Sequence, residues 1–277
     1  MSPQAILPIP SKDYPETIDP RGVLHELETV EKKLLASEKA ADYIAPLDSL
    51  KKLQDLENEK DFMTAFYAAI AAASISTAGL GTFSIGLLGI LLAWRPLVRI
   101  QKISRLTKLI QEILEEFEDQ GVETLPLVKV QGVQPVDLFI RFPGKEFLLF
   151  AIRSFGEATI VYNESKQTLY YKRGPKGTNK WKPDPLMELS EQAYWLKKNR
   201  RDLFGSSKGV RKPMPKVLVV WEKTQLQQHE DHLYTTVGGQ KFLFLPREGG
   251  ACYVIHHNEV VDFIRAYLME RQFLVTS

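Results

Sequence analysis

Apolar and polar positions alternate along this chain in three different ways, and each predicts a different kind of element. Val23, Leu27, Val30 and Leu34 recur at helical spacing, and Leu47, Leu50, Leu53 and Leu56 continue an apolar stripe after Pro46. That pattern predicts an amphipathic helical region over 21–61. Pro3, Pro8, Pro10, Pro15 and Pro20 make residues 1–20 an expected extended or disordered segment. From Phe62 to Trp94 the alternation stops: 33 residues contain no Asp, Glu, Lys, Arg or His. Beyond it, Leu97, Ile100, Ile103, Leu106, Ile110, Ile113, Leu114 and Phe117 restore the helical period and predict a helix over 96–119, ended by Gly121. Short β-like runs follow at 125–130, 136–142, 146–155, 158–163 and 167–172, divided by Gly, Pro and Asn. Asp184-Pro185 opens a helix in cap and first-turn order. KVLVVWE at 216–222 has the continuous apolar character of a buried strand. Strands KFLFLP and ACYVIH and a helix from Asn258 to about Arg271 complete the pattern.

The uncharged run 62–94 predicts a membrane segment, because a bilayer core of about 30 Å needs about 20 apolar residues. Gly79-Leu80-Gly81 near its centre favours a turn, hence a helical hairpin. Lys51, Lys52 and Lys60 precede the run, and Arg95, Arg99, Lys102, Arg105 and Lys108 follow it. Positive charge on both sides is what a hairpin with both ends on the cytoplasmic face requires. One long tilted helix is the rival, and a hairpin buried in a soluble core is the third reading. Both membrane readings place the C-terminal domain in the cytoplasm.

Average composition hides this organisation. A hydrophobic content of 44% and a charged content of 25% exclude a disordered or collagen-like chain, and Cys252, as the single cysteine, excludes an internal disulfide. The net charge of +2 is a cancellation. Residues 1–61 carry 8 basic and 13 acidic side chains, net −5, while 95–277 carry 28 and 21, net +7. The apolar stripe of 21–61 also admits self-association.

In 95–277 the order helix, strands, helix, strand, together with Pro135-Val136-Asp137, the hairpin Phe142-Pro143-Gly144-Lys145, the run Phe150 to Gly156 and the helix start Pro185 to Gln192, resembles the nuclease-related domain (NERD) of the restriction-endonuclease-like superfamily. The resemblance implies an α/β fold: a restriction-endonuclease-like core of helix, mixed sheet, helix and strand, here preceded by a membrane hairpin and an N-terminal helical region. It also implies that Asp137 is a metal-binding carboxylate and that positions 151 and 153 should hold Glu and Lys. Instead they hold Ala151 and Arg153, and Glu188 stands where the family's helix glutamine is expected, with Gln192 one turn later.

These departures bear on chemistry. Phosphodiester hydrolysis on this fold uses Mg²⁺ held by converging carboxylates, and Asp137 alone holds it weakly. Arg153 stays protonated and cannot take a proton from water, although it can still contact a phosphate. Asp137, Arg153, Glu188 and Gln192 are therefore expected to be a vestigial catalytic set with no cofactor, in a domain that binds without cutting. The alternative is an active Mg²⁺-dependent nuclease whose metal ligand has migrated, with Glu146 excluded by strand parity and Glu157 lying past Gly156.

Residues 166–216 hold 14 basic and 4 acidic side chains. Lys172, Arg173, Lys176, Lys180 and Lys182 crowd one loop region with Tyr170, Tyr171 and Trp181 nearby, and Lys197, Lys198, Arg200 and Arg201 end the next helix. The expectation is a phosphate-binding surface for nucleic acid or anionic lipid, with the aromatics as stacking partners. GPKGTNK at 174–180 lacks the ending of a phosphate loop and is expected to be a hairpin tip. His256-His257 are expected to be ordinary surface residues pointing to opposite faces.

Overall fold

The computed structural model describes residues 48–276 apart from 77–82, 176, 206 and 248, and gives the backbone alone for 70, 71, 73–96 and 272–276. The chain divides into units Met1–Ile44 and Ala45–Ser277, and every described residue belongs to the second. The expected extended segment 1–20 and residues 21–47 of the expected helical region lie outside the described residues.

Two long helices open the described chain, α1 (Ser49–Ser76) and α2 (Phe83–Phe117). Asp48 Oδ1 accepts the Lys51 N–H at 3.0 Å and starts α1, and Gly121 closes the turn after α2 with φ 71°. The Leu stripe of α1 holds only in part. Leu56 is buried, but Leu50 is 60% exposed, because the inward face of this helix runs through Ser49, Leu53, Leu56 and Met63. Among the described residues no helix is long and apolar enough to cross a membrane. The uncharged run is shared between α1 and α2, and its middle falls in 77–82.

The sheet strands are β1 (Glu123–Val128), β2 (Val136–Phe142), β3 (Glu146–Arg153), β7 (Lys216–Val220), β9 (Tyr234–Val237), β10 (Gln240–Leu245) and β11 (Cys252–His256). They lie in the order β1-β2-β3-β7-β11-β10-β9, with β3, β7 and β11 parallel and the rest antiparallel. A second sheet has the order β6-β5-β4-β8, from β4 (Thr159–Asn163), β5 (Thr168–Lys172), β6 (Asn179–Lys180) and β8 (Gln225–Leu226). Helices α3 (Pro185–Asn199), the short α4 (Ser207–Arg211) and α5 (Val260–Thr276) complete the fold. The chain is thus α/β with a mixed sheet.

Two cores follow from the period-2 alternation of the central strands. Leu138, Ile140, Leu148, Phe150, Val217 and Val219 pack with α2 and α5, while Phe139, Phe147, Leu149, Ala151, Leu218 and Val220 pack with α3 and the small sheet. All five residues of β7 are buried, as a central parallel strand covered on both faces requires.

The β9–β10 hairpin turns on Gly238 and Gly239, both with positive φ, in the two-residue form that matches strand twist. A Cβ on Gly238 would lie 2.4 Å from the Ala266 carbonyl oxygen in α5, whereas one on Gly239 would meet nothing within 4 Å. Gly238→Ala is therefore expected to cost roughly 3 kcal/mol, combining backbone strain with a backbone clash, and Gly239→Ala about 1 kcal/mol. Urea denaturation of the two variants checks this, and equal losses would refute the clash.

Candidate active site

Register brings the expected residues together. β2 and β3 pair with Leu138 opposite Phe150, so one step further along the ladder Asp137 faces Ala151. Asp137, Ala151 and Arg153 then share the sheet face that α3 covers, and α3 adds Glu188 and Gln192 from successive turns. Arg153, Val220 and His256 lie side by side where the three parallel strands end.

The Arg153 guanidinium occupies the centre of this group. Nη1 donates to Asp137 Oδ2, and also to the Ile152 carbonyl at 3.0 Å; Nη2 donates to Glu188 Oε2 at 3.0 Å. The Ile152 N–H donates to Asp137 Oδ2 at 2.7 Å. Asp137 Oδ1 meets the Lys102 ammonium as an ion pair without hydrogen-bond geometry. Side-chain exposure falls from 33% at Lys102 and 18% at Arg153 to 10% at Glu188 and 1% at Asp137. Burial works against the Arg153 charge, but Asp137 and Glu188 outweigh it and hold its pKa above the ordinary guanidinium value. Two carboxylates and two cations balance, so the site is electrically closed.

Magnesium does not fit this arrangement. A hard dication needs about six oxygen ligands, several of them free to turn toward it. Here one guanidinium already draws on the Asp137 and Glu188 carboxylates and the Ile152 carbonyl, and Ala151 contributes a methyl group beside Asp137. Among the described residues no group of three His, Cys, Asp or Glu side chains could hold a metal ion. The carboxylates considered as migrated ligands do not join the site. Glu157 is exposed and paired with Lys223 at 2.9 Å. Glu146 is held by Lys212 at 2.9 Å, Tyr267 at 2.9 Å and Arg271 at 3.3 Å, around the opposite end of β3.

Gln192 is fully buried, and its amide nitrogen donates to the Gln134 and Pro135 carbonyls at 2.9 and 3.2 Å. It fixes the entry into β2 and so the position of Asp137, without touching the carboxylates. Lys102 was not legible as a site residue. In sequence it belongs to the basic stretch after the uncharged run, and only the path of α2 past the start of β2 brings it to Asp137. A cleft of about 530 Å³ between Glu222, Gln225, Tyr234, Lys241 and His256 is lined by none of Asp137, Arg153 and Glu188.

The expected phosphate-binding residues separate into two groups. Lys172, Arg173, Lys180 and Lys182 are exposed around β5 and β6, and Lys176 lies outside the described residues. At the end of α3, Lys197 donates to the Lys212 carbonyl at 2.7 Å, and burial, then Lys216, lowers its pKa. Arg200 grips Asp202 through three contacts, Lys198 lies over the Tyr194 ring, and Arg201 is exposed. That second group is largely committed to its own surroundings. Trp181 is also no surface platform: it is 4% exposed and belongs to the α3-side core.

The histidine pair departs from expectation because β11 ends at His256 and a tight helical turn begins at His257. Strand alternation no longer applies across the pair, and the two rings come to 4.4 Å. His256 contacts Asn258 Oδ1 and the Glu222 carbonyl, each at 2.9 Å, while His257 packs on Trp221. Burial, then His256 and Lys108, lowers the His257 pKa.

No family model, curated protein or solved structure matches this chain.

Proposed function

We propose that residues 95–277 form a catalytically degenerate, restriction-endonuclease-like domain of the nuclease-related type that binds polyanions without cutting them, and that the uncharged run 62–94 holds it at a membrane on the cytoplasmic side. The Arg153 bridge between Asp137 and Glu188 carries the reading: a fixed organic cation stands where hydrolysis would need an exchangeable metal and its water. The exposed cations around β5 and β6 supply the binding surface. Membrane attachment is supported by the run itself and by the exposed apolar residues at its described ends, Phe62, Phe66, Leu97 and Val98. An Arg99–Glu59 ion pair and a 2.9 Å Gln111–Glu57 hydrogen bond join α1 to α2, which favours a hairpin over one long span.

The full chain in detergent, given Mg²⁺ or Mn²⁺ and single-stranded or plasmid DNA, should cut no faster than Asp137→Ala. Its binding to nucleic acid should weaken steeply with salt. Cleavage that disappears in Asp137→Ala would establish the active-nuclease alternative, with Glu188 as the second carboxylate.

A further inference from the structure

β3 carries the chain out of the active-site group, and two residues past Arg153 the Phe155 ring starts a stack. Tyr171 lies on it with centroids 4.4 Å apart and planes 28° from parallel, and Trp181 closes it edge-on from the core side at 4.7 Å. Arg173 flanks the Phe155–Tyr171 pair at the surface, nearly equidistant from the two rings. Its guanidinium carbon is 5.5 Å from the Phe155 centroid and 5.7 Å from that of Tyr171, and Nη2 donates to the Phe155 carbonyl at 2.9 Å. Burial grades from Trp181, which is buried, through the half-buried Phe155 and Tyr171 to the exposed Arg173. No carboxylate pairs with Arg173 among the described residues, so a main-chain carbonyl and the two neighbouring rings hold its guanidinium in place.

We propose that Arg173, held at the side of the stacked Tyr171–Phe155 pair, makes this cluster a base-stacking platform for single-stranded nucleic acid. The proposal rests on the polyanion-binding reading and narrows it to one partner. A planar, exposed guanidinium offers a flat face on which a base can stack, and base stacking needs no particular sequence. A duplex keeps its bases stacked on one another and presents mainly phosphates, while a lipid surface offers charge without a planar π-system. Lys172, adjacent to Arg173, and Lys180, opposite Tyr170 on the neighbouring strand, can meet the flanking phosphates.

Fluorescence anisotropy on the full chain in neutral-lipid nanodiscs tests this with three probes, a labelled single-stranded 12-mer, the same strand made abasic and its duplex, and co-flotation tests a fourth, vesicles containing phosphatidylserine. The single strand should bind at least tenfold tighter than the abasic strand, which has the same phosphates. Arg173→Lys, which keeps the charge and loses the plane, should lose about tenfold on the single strand and less than twofold on the duplex. An unchanged single-strand affinity in Arg173→Lys, or equal binding of intact and abasic strands, overturns the platform. If salt-dependent binding to duplex or vesicles persists in that case, polyanion binding stands and only the platform falls. Binding to none of the four probes refutes both.

Discussion

Arg153→Met should destabilise the protein by about 3–5 kcal/mol, the usual cost of removing one partner from a buried ion pair. The loss arises less from the missing attraction than from what remains. Asp137, 1% exposed, keeps Lys102 and the Ile152 N–H but loses its hydrogen-bonded guanidinium, and Glu188 loses its only described ion-pair partner. A methionine fills much of the same space, so packing changes little. If this account holds, Asp137→Asn in the Arg153→Met background should recover part of the loss, because the most buried carboxylate is then neutral and only the more exposed Glu188 and Lys102 stay unpaired. A double-mutant cycle by urea denaturation should return a coupling of at least about 2 kcal/mol. Single-variant losses below about 1 kcal/mol, with no coupling, would mean that Arg153 behaves as a solvated surface charge and that the site is not closed.

The same residues show how far sequence reasoning reached. The resemblance groups Asp137, Ala151, Arg153, Glu188 and Gln192, and the β2–β3 register together with the cover of α3 puts all five on one side of the sheet. β2 runs over Val136–Phe142 as the apolar pattern predicts, and β7 is the buried strand expected from KVLVVWE. Parity also sets Glu146 aside, since its partners Tyr267 and Arg271 lie on α5, which packs on the opposite sheet face. What was not legible depends on three-dimensional paths. The helical stripe was clear only from residue 96 because the uncharged run has no polar face to mark its period, yet α2 begins at Phe83 and passes straight through Pro96. Lys102 looked like one member of a basic flank because the crossing of α2 over β2 has no local signature. β9 is four residues long, and only the Gly238-Gly239 pair between Val237 and Gln240 signals its hairpin. In sequence Trp181 is an aromatic amid lysines, but its backbone N–H donates to the Leu169 carbonyl at 2.9 Å and its ring is buried in the core.

Asp184→Ala should be nearly as damaging as Arg153→Met, about 3 kcal/mol, although the Asp184 side chain touches neither the Asp137 nor the Glu188 carboxylate. One side chain there serves three elements. Oδ1 caps α3 by accepting the Leu186 N–H at 3.0 Å, Oδ2 accepts the Thr168 hydroxyl of β5, and Arg247 after β10 pairs with the same oxygen at 2.6 Å. Alanine removes the cap, worth about 1 kcal/mol, and leaves Arg247, 16% exposed, without its carboxylate. Asp184→Asn keeps a capping oxygen and an acceptor while losing the charge, so it should lose about half as much. The loss in Asp184→Ala should shrink when Arg247 is also changed to methionine. Because α3 carries Glu188 and Gln192, loosening its first turn should also disturb the site, and amide hydrogen exchange should rise at Ile152, whose N–H binds Asp137. Equal stability of Asp184→Ala and wild type, or unchanged exchange at Ile152 despite a lost cap, would show that the helix start and the carboxylate group are energetically separate.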